Sequence, residues 1–497
     1  MKVLLVYLNV NGRAFYPISV SMLQGYIKSK GHDTDVFDTT FYENMEYAGQ
    51  RKVYEKLGCF RATDLAKQGV SYSKGSVEDD FIKKIDLYKP DLIAFNAMSI
   101  NFPLGVTLSR LLKSKYQIPI IFGGPHTNVA PMETISEESI DMVCLGEGEA
   151  ALAELCDRIE EGISYSDVQN IWLKENGKII KNELRPFLDM DSLSPPDWSN
   201  FSEKHVFGSV AGKVYRMAPV EMSRGCPYRC TYCINSHMQD AYKGISRYNR
   251  RKSISKAVYD LKYLRDKYDI EMFYFLDETF LHMKYEYLLE FSRAYISEIN
   301  RPFFIQTHPQ SVAKDKVKIL KDMSCTLISM GIEHGDYDIR KNILNRPVKD
   351  ETIIDSYKIV REAQIRSSAF NLIGVPTEDR KKIFKTIELN KKCQPDSMSL
   401  SFLFPFKGTE IREMVIQEGL ATDDIPDAID VSTGSALKLP NLSQKELEGL
   451  FKTFYIYYRA PKYLYPLIRL CELENTFSKL LLKLFVNWYR RDHNKSK

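Results

Sequence analysis

A chain of 497 residues exceeds what one hydrophobic core organises, so two domains with appendages are expected. Composition is that of a globular protein, 44% apolar and 27% charged. A net charge of +4 is too small to argue for nucleic acid as a main partner. The opening MKVLLVYLNVNG has a short apolar run that ends in Asn and Gly, so it reads as a buried strand and not as a signal peptide. No window of about eighteen uninterrupted apolar residues predicts a membrane span. Nine Cys, an odd number without an export signal, fit a reducing cytoplasm.

Over residues 1–160, apolar runs alternate with helical patterns. The runs are Val3–Leu8, Thr34–Phe37, Asp91–Met98, Pro119–Phe122 and Met142–Leu145. Helices are predicted near 17–29, 77–88 and 149–161, and residues 41–75 form an unreadable, Tyr-rich insertion. This alternation predicts a doubly wound parallel sheet, with ligands taken at the carboxyl ends of its strands. Two glycine-rich loops lie at such ends: Gly123-Gly124-Pro125-His126 and Gly146-Glu147-Gly148-Glu149. Glycine there permits close backbone approach to a ligand. Each loop could also be a plain turn or helix start. No Gly-x-Gly-x-x-Gly follows the first strand, which disfavours a dinucleotide.

Residues 161–215 read as a hairpin around Asn176-Gly177 followed by a linker through Ser194-Pro-Pro-Asp197. Next comes Ser223-Arg-Gly-Cys-Pro-Tyr-Arg-Cys-Thr-Tyr-Cys233, which spaces Cys226, Cys230 and Cys233 as Cys-x3-Cys-x2-Cys. Chance predicts about 0.003 such triplets in a chain with this Cys content. Three thiolates this close can each hold an iron of a cubane cluster, which leaves a fourth iron open. A zinc site would want a fourth protein ligand, for which His237 is the nearby candidate. The six remaining cysteines, 59, 144, 156, 325, 393 and 471, read as plain thiols.

From 216 to 415, six strand–helix units predict a partial (β/α)6 barrel whose strand ends face one mouth. Those ends carry Asp277-Glu278, Gln306-Thr307-His308, Gly331-Ile332-Glu333-His334, Gly374-Val375-Pro376 and Pro405–Glu410. His308 and His334 are either satisfied strand-end residues or substrate-side proton donors or acceptors. Residues 416–497 form a helical region, with a loop over 423–438 and a capping box at Ser443/Glu446. The last helix aligns Phe477, Leu480, Leu481, Leu484 and Trp488 on one face. Residues 451–497 hold ten Lys/Arg against three Asp/Glu. Docking of this helix on the catalytic domain is the first expectation. Peripheral contact of 475–491 with an acidic membrane is the second, which would suit a lipid-like substrate.

The cysteine triplet, with Tyr232 before its last member, resembles the signature of radical S-adenosylmethionine (SAM) enzymes. The loops of residues 1–160 resemble those of the cobalamin-binding domain that precedes many of them. The resemblance implies a 4Fe-4S cluster on Cys226, Cys230 and Cys233, with SAM chelating the open iron. It implies SAM contacts from Tyr232, Asp277, Glu278, Glu333, Arg346, Gly374 and Pro376. It implies cobalamin against Gly123, Gly124, Pro125, His126, Gly146, Glu147 and Gly148, with His126 beside the cofactor and not on the cobalt. The usual Asp-x-His-x-x-Gly is absent from the loop starting at Asn9, so no imidazole lower ligand is implied.

The implied reaction uses SAM twice, once for a 5′-deoxyadenosyl radical and once to methylate cobalamin. The methyl group then passes to an unactivated carbon of a small-molecule substrate. An electron donor such as a flavodoxin or ferredoxin is implied. A cyclase, ring-contraction or rearrangement enzyme shares the same motifs, and a non-enzymatic cluster or cobalamin sensor is the remote alternative. Widely scattered Cys59, Cys144 and Cys156 exclude a methylthiotransferase.

Overall fold

The computed structural model describes residues 1–9, 16–43, 55–57, 63–425 and 434–495. Most of the loop after the first strand, much of the 41–75 insertion with Cys59, and part of 423–438 lie outside the described residues.

The first unit runs β1 (Lys2–Tyr7), α1 (Ile18–Ser29), β2 (Asp33–Asp38), α2 (Val77–Tyr88), β3 (Leu92–Asn96) and α3 (Phe102–Lys113). It continues with β4 (Ile120–Gly123), α4 (Pro125–Val129), α5 (Pro131–Ser136), β5 (Met142–Cys144) and α6 (Glu149–Glu161). Strand order is β2-β1-β3-β4-β5, all parallel. Both faces of β1 are buried, as a helix-covered parallel strand requires. The α2 helix starts on Ser76, whose hydroxyl accepts from Asp79 N, with three carboxylates in the first turn to complement the helix dipole. The chain leaves β1 towards β2 on one side and returns as β3 on the other, which opens a ligand crevice between them.

The expected hairpin forms as β6 (Ile171–Glu175) and β7 (Lys178–Lys181). It extends the first sheet antiparallel to β5 and does not stand in the connection. Nor is the rest of the connection a loose linker. Trp198 is 1% exposed and stacks on Tyr16 with ring centroids 4.3 Å apart. Asp197 pairs with Lys28 of the first unit at 2.8 Å and Lys267 of the second at 3.2 Å. The backbone packs so closely that a Cβ on Gly25 would lie 2.4 Å from the Pro195 carbonyl oxygen. The two prolines read from sequence as a breaker instead stiffen a buried seam. One continuous core runs from β1 through Trp198 and Phe201 into the second sheet.

That second sheet starts at β8 (Phe207–Val210), antiparallel to β9 (Lys213–Val220). A short ladder, β10 (Ser223–Arg224), α7 (Ile234–Ala241) and β11 (Arg250–Arg251) follow. The alternation then runs α8 (Ile254–Tyr268), β12 (Met272–Phe275), α9 (Tyr285–Glu298), β13 (Phe303–Thr307), α10 (Lys314–Asp322) and β14 (Cys325–Glu333). It closes with α11 (Asp350–Glu362), β15 (Arg366–Ile373), α12 (Arg380–Cys393), β16 (Ser397–Phe402) and α13 (Glu410–Gln417). β9, β12, β13, β14, β15 and β16 are neighbours in chain order and parallel, which is the expected partial barrel.

The tail consists of α14 (Gln444–Arg459), α15 (Tyr465–Leu470) and α16 (Thr476–Lys495). The capping box at Ser443/Glu446 is present. The α14 helix packs Leu447, Leu450 and Phe451 against Ile373, Ile383 and Phe402 of the barrel. No described helix is long and apolar enough to cross a membrane.

Candidate active site

The cysteine loop is aimed by three local devices. Ser223 and Arg224 pair with Arg251 and Arg250, which folds the chain back after β9. Gly225 then turns at φ +87°, and a Cβ there would meet the Tyr248 carbonyl oxygen at 2.5 Å, so glycine is required. Asp277, at the end of β12, accepts from Met222 N at 3.1 Å and from the Ser223 hydroxyl.

Cys226, Cys230 and Cys233 line one cavity of about 180 Å³ at the barrel mouth. Burial pushes the Cys226 thiol up to about 12 and raises Cys233 as well. Metal binding, by displacing those protons, is what would make thiolates here. Donors for such thiolates are in place. Asn235 Nδ2 donates to Cys233 Sγ at 3.4 Å, Arg346 Nη1 lies 3.8 Å from Cys230 Sγ, and α7 points its N-terminus at Cys233. The residues present therefore fit an anionic iron–sulfur cluster.

Glu278, Glu333, Tyr232 and Arg346 line the same cavity. A register shift between Gly331 and Glu333 on β14 turns the Glu333 side chain inward, at the strained φ of +60°. Gly331 leaves room for it, since a Cβ there would lie 1.9 Å from Glu333 Oε1. Burial raises the carboxyl pKa of Glu333, while Arg346 and the Tyr232 hydroxyl pull it down. Burial likewise raises Glu278, opposed by Asn235. Arg346 donates Nη2 to Gly331 O at 2.9 Å, yet its buried Nε has no hydrogen-bond partner among the described residues. A buried guanidinium with a spare donor fits a ligand carboxylate.

Other expected residues fall elsewhere. Asp277 is 1% exposed and works behind the cavity, on the cysteine loop. Gly374 and Pro376 follow β15, outside the cavity lining; Gly374 N donates to Glu378, and the segment is packed under Leu447. His334 is fully buried, with Nε2 2.7 Å from Glu378 Oε1 and Nδ1 accepting from Asp336 N, so it faces no substrate. His308 does line the cavity, stacked on Tyr228 at 3.8 Å. Burial and the nearby Arg346 lower it to about 2, so the ring is neutral.

The second site is a slot of about 260 Å³ at the β1/β3 crevice. Leu5, Ile18, Ala94 and Ile121 form apolar walls, while Gly123, Gly124, Gly146, Glu147 and Gly148 line one end. Gly124 at φ +102° and Gly146 at φ +69° hold conformations that a side chain would strain. A Cβ on Gly146 would also strike the Tyr242 hydroxyl. Such an apolar, glycine-floored slot fits part of a large planar cofactor with a flexible tail, such as cobalamin. Pro125 and His126 are not in its lining: His126 is 1% exposed, stacked on Phe102 and bonded to Ser99. Cys144, read as a plain thiol, does line the slot.

Sequence reasoning missed the residues that join the two sites. Arg224 and Glu221 belong to the second unit and line the slot of the first. Arg224 pairs with Glu147 at 3.2 Å, Glu149 at 2.7 Å and Glu221 at 2.8 Å. Arg250 pairs with Glu147 as well and lies over the Phe187 ring at 3.9 Å. Position two residues before Cys226 was the available signal for Arg224, as position two after Cys233 was for Asn235.

Comparison with known proteins matches residues 220–389 to the radical SAM superfamily and residues 60–156 to the B12 binding domain. An uncharacterized methyltransferase of Pyrococcus horikoshii is 25% identical over 390 residues, covering 78% of this chain and 82% of its own. The anaerobic magnesium-protoporphyrin IX monomethyl ester cyclase of Cereibacter sphaeroides is 23% identical over 350 residues, covering 67% and 55%. Among solved structures, the cobalamin-dependent SAM radical enzyme OxsB, with aqua-cobalamin and SAM bound, superposes with a TM-score of 0.69 at 15% identity. It covers 99% of this chain and 71% of its own.

Proposed function

The chain belongs to the cobalamin-binding radical SAM enzymes, and on that footing we propose that it methylates an unactivated carbon of a small-molecule substrate. One short segment that reaches both candidate cavities carries the reading: Arg224 lines the glycine slot two residues before Cys226 of the other cavity. Methyl transfer to a substrate radical needs both reactive centres within reach of one carbon.

When bound, the cluster and SAM supply a hydrogen-abstracting radical, and cobalamin supplies a transferable methyl group. The protein's share is positional. Cys226, Cys230 and Cys233 hold the cluster. Arg346, with its spare donor, takes the SAM carboxylate, and Glu278 and Glu333 face the SAM amino group. Asp277 fixes the backbone of the cysteine loop. The glycine slot orients cobalamin, and its apolar walls exclude water.

The test is anaerobic purification with added cobalamin, then metal analysis and incubation with methyl-labelled SAM and reductant. Stoichiometric cobalt beside about four irons, with label passing to cobalamin, supports the reading. Iron without cobalt sinks it. The cyclase relative supports a second reading, ring formation without methyl gain. Product mass separates the two.

A further inference from the structure

Eight of the nineteen exposed large apolar side chains among the described residues fall within one short stretch of the tail. They are Tyr463, Leu467, Leu470, Leu473, Phe477, Leu480, Leu484 and Trp488. Within α16, Phe477, Leu480, Leu484 and Trp488 are three or four positions apart on one continuous helix, so they form one stripe, and Tyr463, Leu467, Leu470 and Leu473 lie on and around α15 just before it. The opposite face of α16 is satisfied, since Val486 and Tyr489 are buried in the tail core with Leu482 and Phe485 against them. The face expected to dock on the catalytic domain is thus the one turned outward. Phe477, Leu480 and Leu484 are 64%, 60% and 58% exposed. A contiguous apolar patch of this kind marks an interaction surface.

Charge selects the occupant. Residues 475–491 contain no Asp or Glu and four basic residues, Lys479, Lys483, Arg490 and Arg491. Lys479 and Lys483 are exposed one turn apart along a flank of the stripe. A second copy packed on the same face would set these lysines near their own equivalents, and Glu474, the acidic residue just before the helix, is already paired with Lys452 at 3.3 Å. An anionic bilayer meets both requirements, because acyl chains take the stripe and headgroups take the lysines. Trp488 and Tyr463 have amphipathic rings suited to the headgroup level.

We propose that the exposed apolar stripe of α16 is a peripheral membrane-docking surface for anionic lipid. It does not depend on the methyl-transfer reading. The test is co-sedimentation of the full chain with phosphatidylcholine vesicles, with and without phosphatidylglycerol, across a salt series. Wild type is expected to sediment with the anionic vesicles and to be released by salt. The F477S/L480S/L484S variant, altered only at exposed positions, is expected to partition about tenfold more weakly or worse while keeping its melting temperature. If that variant is unstable, K479E/K483E decides, with a loss of about tenfold or more on anionic vesicles. Absence of sedimentation with anionic vesicles overturns the proposal, as does undiminished binding by the variants. So does a concentration-dependent dimer that the triple variant abolishes, because the stripe would then be a self-association face.

Discussion

Arg224 Nη2 donates to Glu149 Oε1 at 2.7 Å, and this bond ties the cysteine loop of one sheet to the glycine loop of the other. Glu149 is 4% exposed and opens α6 directly after the slot glycines. Arg224 also serves the half-buried Glu147 and Glu221, so it is the hub of a three-carboxylate cluster. Replacing Arg224 by Met leaves Glu149 and Glu221 without their ion-pair partner and only Arg250 to pair with Glu147. The expected cost is about 3–5 kcal/mol of stability, read by denaturant unfolding. Cobalamin retention should fall with it.

Cys226→Ala, Cys230→Ala and Cys233→Ala should each lose the cluster and all 5′-deoxyadenosine formation. Iron analysis and electron paramagnetic resonance check this. A variant that kept wild-type deoxyadenosine production after reconstitution would remove that cysteine from the ligand set.

Gly331→Ala places a methyl group 1.9 Å from Glu333 Oε1, so the carboxylate must shift from its present position. SAM affinity measured calorimetrically should drop by about tenfold or more, the cost of one charge-assisted bond. Arg346→Lys keeps the charge but loses the planar fork, and should weaken SAM binding comparably.

Asp197 gives a pH-dependent prediction. Burial acts to raise its pKa, but bonds from Lys28, Ser199 and Lys267 outweigh it and hold the carboxyl well below the usual range. A depressed folded-state value means stabilisation is fully present above the unfolded value of about 3.9 and is lost as pH falls through the folded value. Asp197→Asn should therefore cost about 1–3 kcal/mol at neutral pH. The gap to wild type should close only in strong acid, as seen in melting temperatures across a pH series.

Much of this architecture was legible because it repeats with short periods. Apolar runs such as Lys2–Tyr7 and Phe303–Thr307 mark strands, and Cys-x3-Cys-x2-Cys marks a cluster loop on spacing alone. What remained hidden depends on distant partners. Nothing local says that Asp277 turns back to Met222 while its neighbour Glu278 faces the cavity. Nothing near His126 reveals the Phe102 ring that holds it out of the slot. Pro195-Pro196 reads as a breaker until Gly25 is seen against Pro195, with Lys28 on Asp197 and Tyr16 on Trp198 just after it. The tail helix shows two apolar flanks in its sequence, and only tertiary packing decides which one the protein buries.

The Tyr16–Trp198 stack has a consequence for how such a molecule can be remade. A seam this tightly packed makes the two halves thermodynamic dependants, because neither completes its own core without the other. Exchange of the front half for that of a distant relative would misfit Gly25 against Pro195 and Lys28 against Asp197 before chemistry was ever tested. Chimeras should tolerate a crossover only where the seam residues travel together.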